Sequence, residues 1–286
     1  MKNNILRSIA IGTVQFGVDY GISNQSGKTS KNEVSEILKY AWKNGVDTLD
    51  TAHGYGDSEI TLGEKMIHEF KIITKLHNSE DIYKIKEAFF ESLDHLNRSK
   101  INGLLAHDAR SLILKPKLWD FLEHLKHMGY TNKIGYSLYY PEDLEKLLSL
   151  DFIPDLIQIP LNILDTRFVP YIDELKARGC EIHTRSAFLQ GVLFLEPNSL
   201  SDFFNPIKPI LEKLRTDFPS VEERSSFLIK ECLITGIDKV VIGVNNLSQL
   251  KSITKGLKSS GKDNLFLSEE YKVDEKILLP FNWPKK

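Results

Sequence analysis

The sequence predicts an α/β fold, a single (β/α)8 barrel domain running over residues 1–286. Short apolar runs alternate with longer stretches of helical spacing along the whole chain, and such alternation implies parallel strands. Eight runs qualify as strands, and a chain of 286 residues exceeds the roughly 250 that such a barrel needs. The rival, an open doubly wound sheet, calls for a GxGxxG turn after its first strand. Here that turn reads GTVQFG, residues 12–17.

In order, the first strand is SIAIGT (8–13). The first long helical stretch, KNEVSEILKYAWKNG (31–45), opens with Ser30 and Glu33 spaced as a capping box and closes at Gly45. Strands DTLDT (47–51) and KIITKL (71–76) lead to the helical DIYKIKEAFFESLDHL (81–96). INGLLAH (101–107) is followed by KLWDFLEHLKHMG (117–129), and KIGYSL (133–138) by PEDLEKLLSL (141–150). DLIQIPL (155–161) precedes RFVPYIDELKARG (167–179), and EIHTRS (181–186) and DKVVIGV (238–244) complete the eight. Gly129 and Gly179 stand where helix C-caps favour glycine.

Composition excludes several classes. The net charge of −2 offers no nucleic-acid surface and no membrane footprint. No apolar run reaches the length of a membrane span, and MKNNILRSIAIGTVQFG lacks a signal-peptide pattern, so a cytoplasmic setting is expected. Cys180 and Cys232 belong to no CxxC motif and are expected as buried thiols in a reducing compartment. Oligomeric state is not legible.

Active sites of such barrels lie at the C-terminal strand ends. Asp50 ends the second strand and Tyr55 follows in its loop; Lys75 ends the third strand and His107 the fourth. Singly, each reads as a cap, a packed aromatic, a solvated cation or a satisfied polar group. Jointly they describe a proton donor for an oxygen gaining negative charge. The lysine ammonium favours the phenolate of a nearby tyrosine, the aspartate holds the ammonium, and a neutral imidazole orients a carbonyl. Carbonyl reduction needs this arrangement, and because no side chain supplies a hydride, a nicotinamide cofactor must.

GVDTLDTAHGYGDSE, residues 45–59, resembles the signature of the aldo-keto reductase superfamily. ITKL and LLAHDA are similar to its lysine and histidine segments, and AIGTVQFG, IGYSLY, DLIQIPLN and VVIGVNNLSQL to its cofactor-binding segments. The resemblance covers nearly the whole chain and implies the same barrel. It implies Tyr55 as general acid, tuned by Lys75 and Asp50, with His107 orienting a small carbonyl substrate. It also implies NADP(H), with NAD(H) open, held by Gly12, Thr13 and Asp50, then Ser137 and Gln158 at the carboxamide. Further matching positions are Arg185, Ser186 and Phe188, then Gly243, Asn245 and Gln249. TVQFGVDYGISN and RSAFLQGVLF resemble bacterial reductases linked to polysaccharide pathways, which points to a sugar-like carbonyl compound.

Departures from the pattern are equally specific. Leu138 replaces an asparagine, Arg185 replaces an aromatic, and Asn245 occupies a position often held by lysine or serine near a 2′-phosphate. Ser252 and Ile253 replace a Glu-Asn pair at the adenine; Lys251 and Lys255 are read first as a solvated helix face. Two rival functions stand beside the reductase: a barrel lyase with a Schiff base on Lys75, and a non-enzymatic cofactor sensor. No metal ligand set is read, since His124 and His127 lack a third partner, and His53 is open between substrate mouth and structural hydrogen bond. GISNQSGKT is not a phosphate loop, because five residues separate its glycines where four are needed. Tyr139, Tyr140, Phe16, Phe188 and Trp283 are candidate pocket walls, and the short segment after His107 with the tail LPFNWPKK suggests an open mouth.

Overall fold

The computed structural model describes residues 5–65, 68–77, 81–259 and 273–284. Residues 1–4 and 285–286, on which parts of the leader and tail readings fall, lie outside that set. The expected eight strands are present and close into one parallel barrel in sequence order, β1 to β8. They are β1 (Ile9–Gly12), β2 (Thr48–Asp50), β3 (Lys71–Leu76), β4 (Ile101–Ala106), β5 (Thr131–Ser137), β6 (Leu156–Pro160), β7 (Glu181–Arg185) and β8 (Lys239–Gly243). Up to β3 the helices are α1 (Val14–Gly17), α2 (Lys31–Lys43) and α3 (Ser58–Gly63). Then come α4 (Ile82–His95), α5 (Arg110–Leu114), α6 (Lys117–His127), α7 (Pro141–Ser149) and α8 (Ile172–Ala177). Two helices, α9 (Lys208–Asp217) and α10 (Val221–Leu233), join β7 to β8, and α11 (Leu247–Lys258) and α12 (Glu275–Leu278) follow.

Period-two alternation sorts the strand residues. Leu49, Ile72, Leu104, Ile134, Ile157, Ile182 and Val240 join the large core between strands and helices. Ile73, Leu105 and Leu156 form a small cluster of their own, the apolar plug of the barrel interior. Register then levels the next interior layer: Gly12 pairs with Asp50 and with Gly243, and Ser137 pairs with Gln158. These are C-terminal strand ends, so the sequence-predicted residues share one rim.

Gly45, Gly129 and Gly179 take the positive φ expected of helix ends. The capping box at Ser30 is corrected. Ser30 accepts from the Glu33 backbone, but the Glu33 carboxylate accepts from the Leu247 backbone instead, tying α2 to α11. The reciprocal box is at Ser220 and Glu223, opening α10.

Helices α9 and α10 were not read from the sequence. Helix α10 buries Arg224, Ser225, Ser226 and Glu231 beside Phe227 and Leu228, which erases its apolar periodicity. With Leu189, Leu193, Phe204 and Leu211, and Ile277 and Leu278 of α12, this connection builds a second apolar cluster beside the barrel. Both cysteines are free and buried, and burial raises their thiols, Cys180 to about 12. No described helix is long and apolar enough to cross a membrane.

Candidate active site

Strands β2 and β3 carry an ion pair. The Lys75 ammonium, 1% exposed, lies 2.7 Å from Asp50 Oδ2 and donates to the Thr51 carbonyl at 2.9 Å. Gln158 Nε2 donates to the other Asp50 oxygen at 2.7 Å, which leaves the glutamine carbonyl oxygen as an acceptor. Asp50 is therefore held from two sides.

Tyr55 enters from the loop after β2. The Lys75 ammonium sits 5.2 Å from its ring centroid, close enough for the lysine charge to act on the phenol. Close packing fixes this loop. A Cβ on Gly17 would lie 1.7 Å from the Tyr55 carbonyl oxygen, and Gly56 turns beneath it at φ +56. Ser58, opening α3, bonds both the carbonyl and the hydroxyl of Thr13 at 2.9 and 2.8 Å. The strands and glycines thus aim the phenol.

His107, just past β4, meets Tyr55 edge-on with ring centroids 5.6 Å apart and stacks on His77 at 4.4 Å. Burial first, then the Lys75, His77 and Arg185 charges, press its pKa down to about 2. The ring is neutral at physiological pH, as expected. Tyr55 corrects the sequence argument. Burial raises its pKa more than the Lys75 charge lowers it, so the phenol keeps its proton. Lys75 is pulled down by burial, but Asp50 and Tyr55 outweigh that and hold the ammonium charged.

Tyr55, Asp50 and His107 line one cavity of about 880 Å³, within the usual range of small-molecule sites. Gly12, Thr13, Ser137 and Gln158 form its floor, Arg185, Ser186 and Phe188 one wall, and Gly243, Asn245 and Gln249 lie along its extension over β8. All the positions matched by resemblance thus border one space, apart from Lys75, which lies behind Asp50. Ser186, Leu189 and Gln190 adopt left-handed backbone in the segment leaving β7. Such outliers gather where a site needs them.

Arg185 is fixed by its surroundings. Its guanidinium donates to the Leu138 carbonyl at 2.7 Å and stacks 4.1 Å from the Tyr139 ring centroid. Of the candidate walls, Tyr139 and Phe188 line the cavity. Phe16 is core, Tyr140 stacks on Arg110, and Trp283 packs on Phe204. Tyr20, Gln190, Phe194 and Phe281 also line it and were missed. Burial, then Tyr55, raises the Tyr20 phenol to about 12, and its oxygen accepts from Gln190 at 2.9 Å. Gln190 and Phe194 come from the segment leaving β7, Tyr20 from the loop after α1 and Phe281 from the C-terminal tail. Lys251 lies over Tyr40 and Lys255 near Glu222, both off the cavity.

The model of the aldo/keto reductase family matches residues 8–214. The chain belongs to the aldo/keto reductase family. That family comprises nicotinamide-dependent oxidoreductases acting on carbonyl compounds. Among curated relatives, the chain is 30% identical to the glyoxal reductase of Bacillus subtilis over 178 residues, 57% of this chain and 60% of that protein. It is 23% identical to the uncharacterized oxidoreductase YqkF of the same organism, over 86% of this chain and 89% of YqkF. Among solved structures, the aldo-keto reductase AKR11C1 from Bacillus halodurans superposes with a TM-score of 0.71 at 18% identity. That match covers 93% of this chain and 95% of AKR11C1 and shows the shared barrel.

Proposed function

We propose that this aldo/keto reductase is an NADP(H)-dependent carbonyl reductase in which Tyr55 is the general acid. The carrying observation is the buried Lys75–Asp50 pair at 2.7 Å, with the protonated Tyr55 phenol on its open side and neutral His107 beside it. When bound, the nicotinamide supplies the hydride. Tyr55 donates its proton to the carbonyl oxygen as charge grows there, and the fixed Lys75 charge stabilises the phenolate left behind. His107, neutral across the working pH range, hydrogen-bonds the same oxygen and orients the substrate. Gln158 and Ser137 would hold the nicotinamide carboxamide, and Arg185 would lie beside its ring.

The cavity fits such a cofactor. Its edge carries Gly12 and Gly243, so backbone without side chain borders the space there, with the Gln15 amide against Gly243. Tyr20, Ser23 and Gln190 add hydroxyl and amide groups, which suits a sugar-like carbonyl substrate. The resemblance to a glyoxal reductase adds small dicarbonyls to the panel worth testing.

A lyase mechanism needs a neutral lysine, and Lys75 is buried, paired and held charged. One observation favours NAD(H) over NADP(H). Glu222 lines the cavity beside Asn245, Ser248 and Ser252, and no lysine lines it among the described residues. Lys255 lies 3.8 Å from that carboxylate and offsets part of its repulsion of a 2′-phosphate, while the carboxylate still offers an acceptor to ribose hydroxyls. Fluorescence titration with NADPH and NADH, followed by turnover on aldehydes, hydroxylated ketones and glyoxal, tests both levels. Binding without turnover on any carbonyl leaves the sensor reading standing and removes the reductase.

A further inference from the structure

Outside the reaction cavity, the loop after β2 packs its outer side against α4. Here His53, Glu59 and His95 bring one donor atom each to within 4.8 Å of one another. Glu59 is 2% exposed. Its Oε1 accepts a hydrogen bond from Thr74 at 2.5 Å, while its buried Oε2 has no hydrogen-bond partner. That free oxygen lies 3.8 Å from His53 Nδ1. The two imidazoles lie nearly parallel, 5° apart in plane with centroids separated by 6.3 Å. His53 Nε2 faces the Glu91 carboxylate at 3.7 Å.

We propose that His53, Glu59 and His95 bind one divalent transition-metal cation of the zinc class. Two imidazole nitrogens and one carboxylate oxygen suit zinc or its neighbours and not magnesium or calcium, which take oxygen ligands. A buried carboxylate oxygen without a partner is costly, and a cation offsets that cost directly. The supporting contacts also fit. Thr74 fixes the Glu59 oxygen that does not ligate, and Glu91 faces the remote nitrogen of His53, as outer carboxylates do around metal-bound histidines. The Ser92 hydroxyl, 3.3 Å from His53 Nδ1, is the contact the ion displaces. Tetrahedral zinc places its donors about 3.4 Å apart, so the half-buried histidines need only side-chain adjustment. The ion would tie α4 to the loop that carries Tyr55, since the His53 backbone already bonds the Lys75 carbonyl at 3.0 Å.

Untagged, metal-stripped protein titrated calorimetrically with Zn²⁺ tests this, with Co²⁺ substitution as the spectroscopic readout. One ion per chain is expected, with four-coordinate Co²⁺ absorption. His95→Ala should weaken Zn²⁺ binding about 100-fold while keeping a native far-UV spectrum and a cooperative melt. The exposed-helix control His124→Ala/His127→Ala should leave the affinity unchanged. Glu59→Gln should also lose the Co²⁺ spectrum. Zn²⁺ affinity unaltered in a folded His95→Ala protein, or no binding stronger than in the His53→Ala/His95→Ala double variant, would overturn the proposal.

Discussion

The barrel carries a lysine–carboxylate network at each end, and the two behave differently. At the N-terminal end, Glu181 of β7 pairs with Lys133 of β5 and lies 2.7 Å from the fully buried His183. Asp47, just before β2, meets Lys239 and Lys71 at 3.0 Å each. His183 and then Lys133 hold the Glu181 carboxyl well below its usual range. Burial works against the Asp47 charge, yet bonds from Thr48, Lys239 and Lys71 bring its pKa down to about 2. Each acid there is matched to cations, and none of these residues lines the cavity. At the C-terminal end the matching is incomplete by one group. Asp50 and Lys75 satisfy each other, and the phenol of Tyr55 leans on the ammonium while keeping its proton. One network closes on itself, whereas the other ends on a protonated phenol facing a cavity.

The largest effect should come from breaking the open end. Tyr55→Phe should lower turnover about 100-fold or more, with reduced-cofactor affinity kept within a few-fold in a fluorescence titration. At the closed end the pattern should reverse. Glu181→Gln should leave turnover near that of the parent and lower unfolding free energy by about 1–3 kcal/mol in urea melts.

Acid separates the two ends further. A depressed carboxyl stabilises the fold above its unfolded pKa and loses that contribution as pH falls through its folded value. Asp47 and Glu181 should therefore cost stability progressively below about pH 4.5. Glu181→Gln should flatten that acid limb in melts collected from pH 6 to pH 3. His107, already neutral, should add no titration to kcat between about pH 5 and pH 8; a pH–rate profile with a break near 6.5 would contradict its assignment.

The smallest expected effect concerns Arg185. Its charge should favour the neutral reduced nicotinamide over the oxidised cation by several-fold, about 1 kcal/mol. Arg185→Gln should bring the two dissociation constants together in titrations with both redox forms.

The strands, and the meeting of Asp50, Tyr55, Lys75 and His107 at one rim, were legible because strand-end position and parallel register together fix which residues converge. The tuning of Tyr55 was not. Its sign depends on how burial weighs against one cation, and spacing carries no such balance. Helix α10 escaped because buried Arg224 and Glu231 break its apolar stripe. The cavity wall of Tyr20, Gln190 and Phe194 brings together residues about 170 positions apart, as the Gln190–Tyr20 bond shows. His53, Glu59 and His95 likewise escaped, since His95 comes from a helix 36 residues beyond Glu59. Sequence alone cannot tell a closed network from an open one, because both consist of lysines, histidines and acids on strands. The end of the strand on which they sit decides.

Single-turnover oxidation of pre-bound reduced cofactor by a carbonyl substrate, run side by side on Tyr55→Phe and Glu181→Gln, tests the central claim most directly. A rate reduced about 100-fold or more in the first variant and unchanged in the second is the expected result. Equal rates in the two variants would contradict the assignment of the proton to Tyr55.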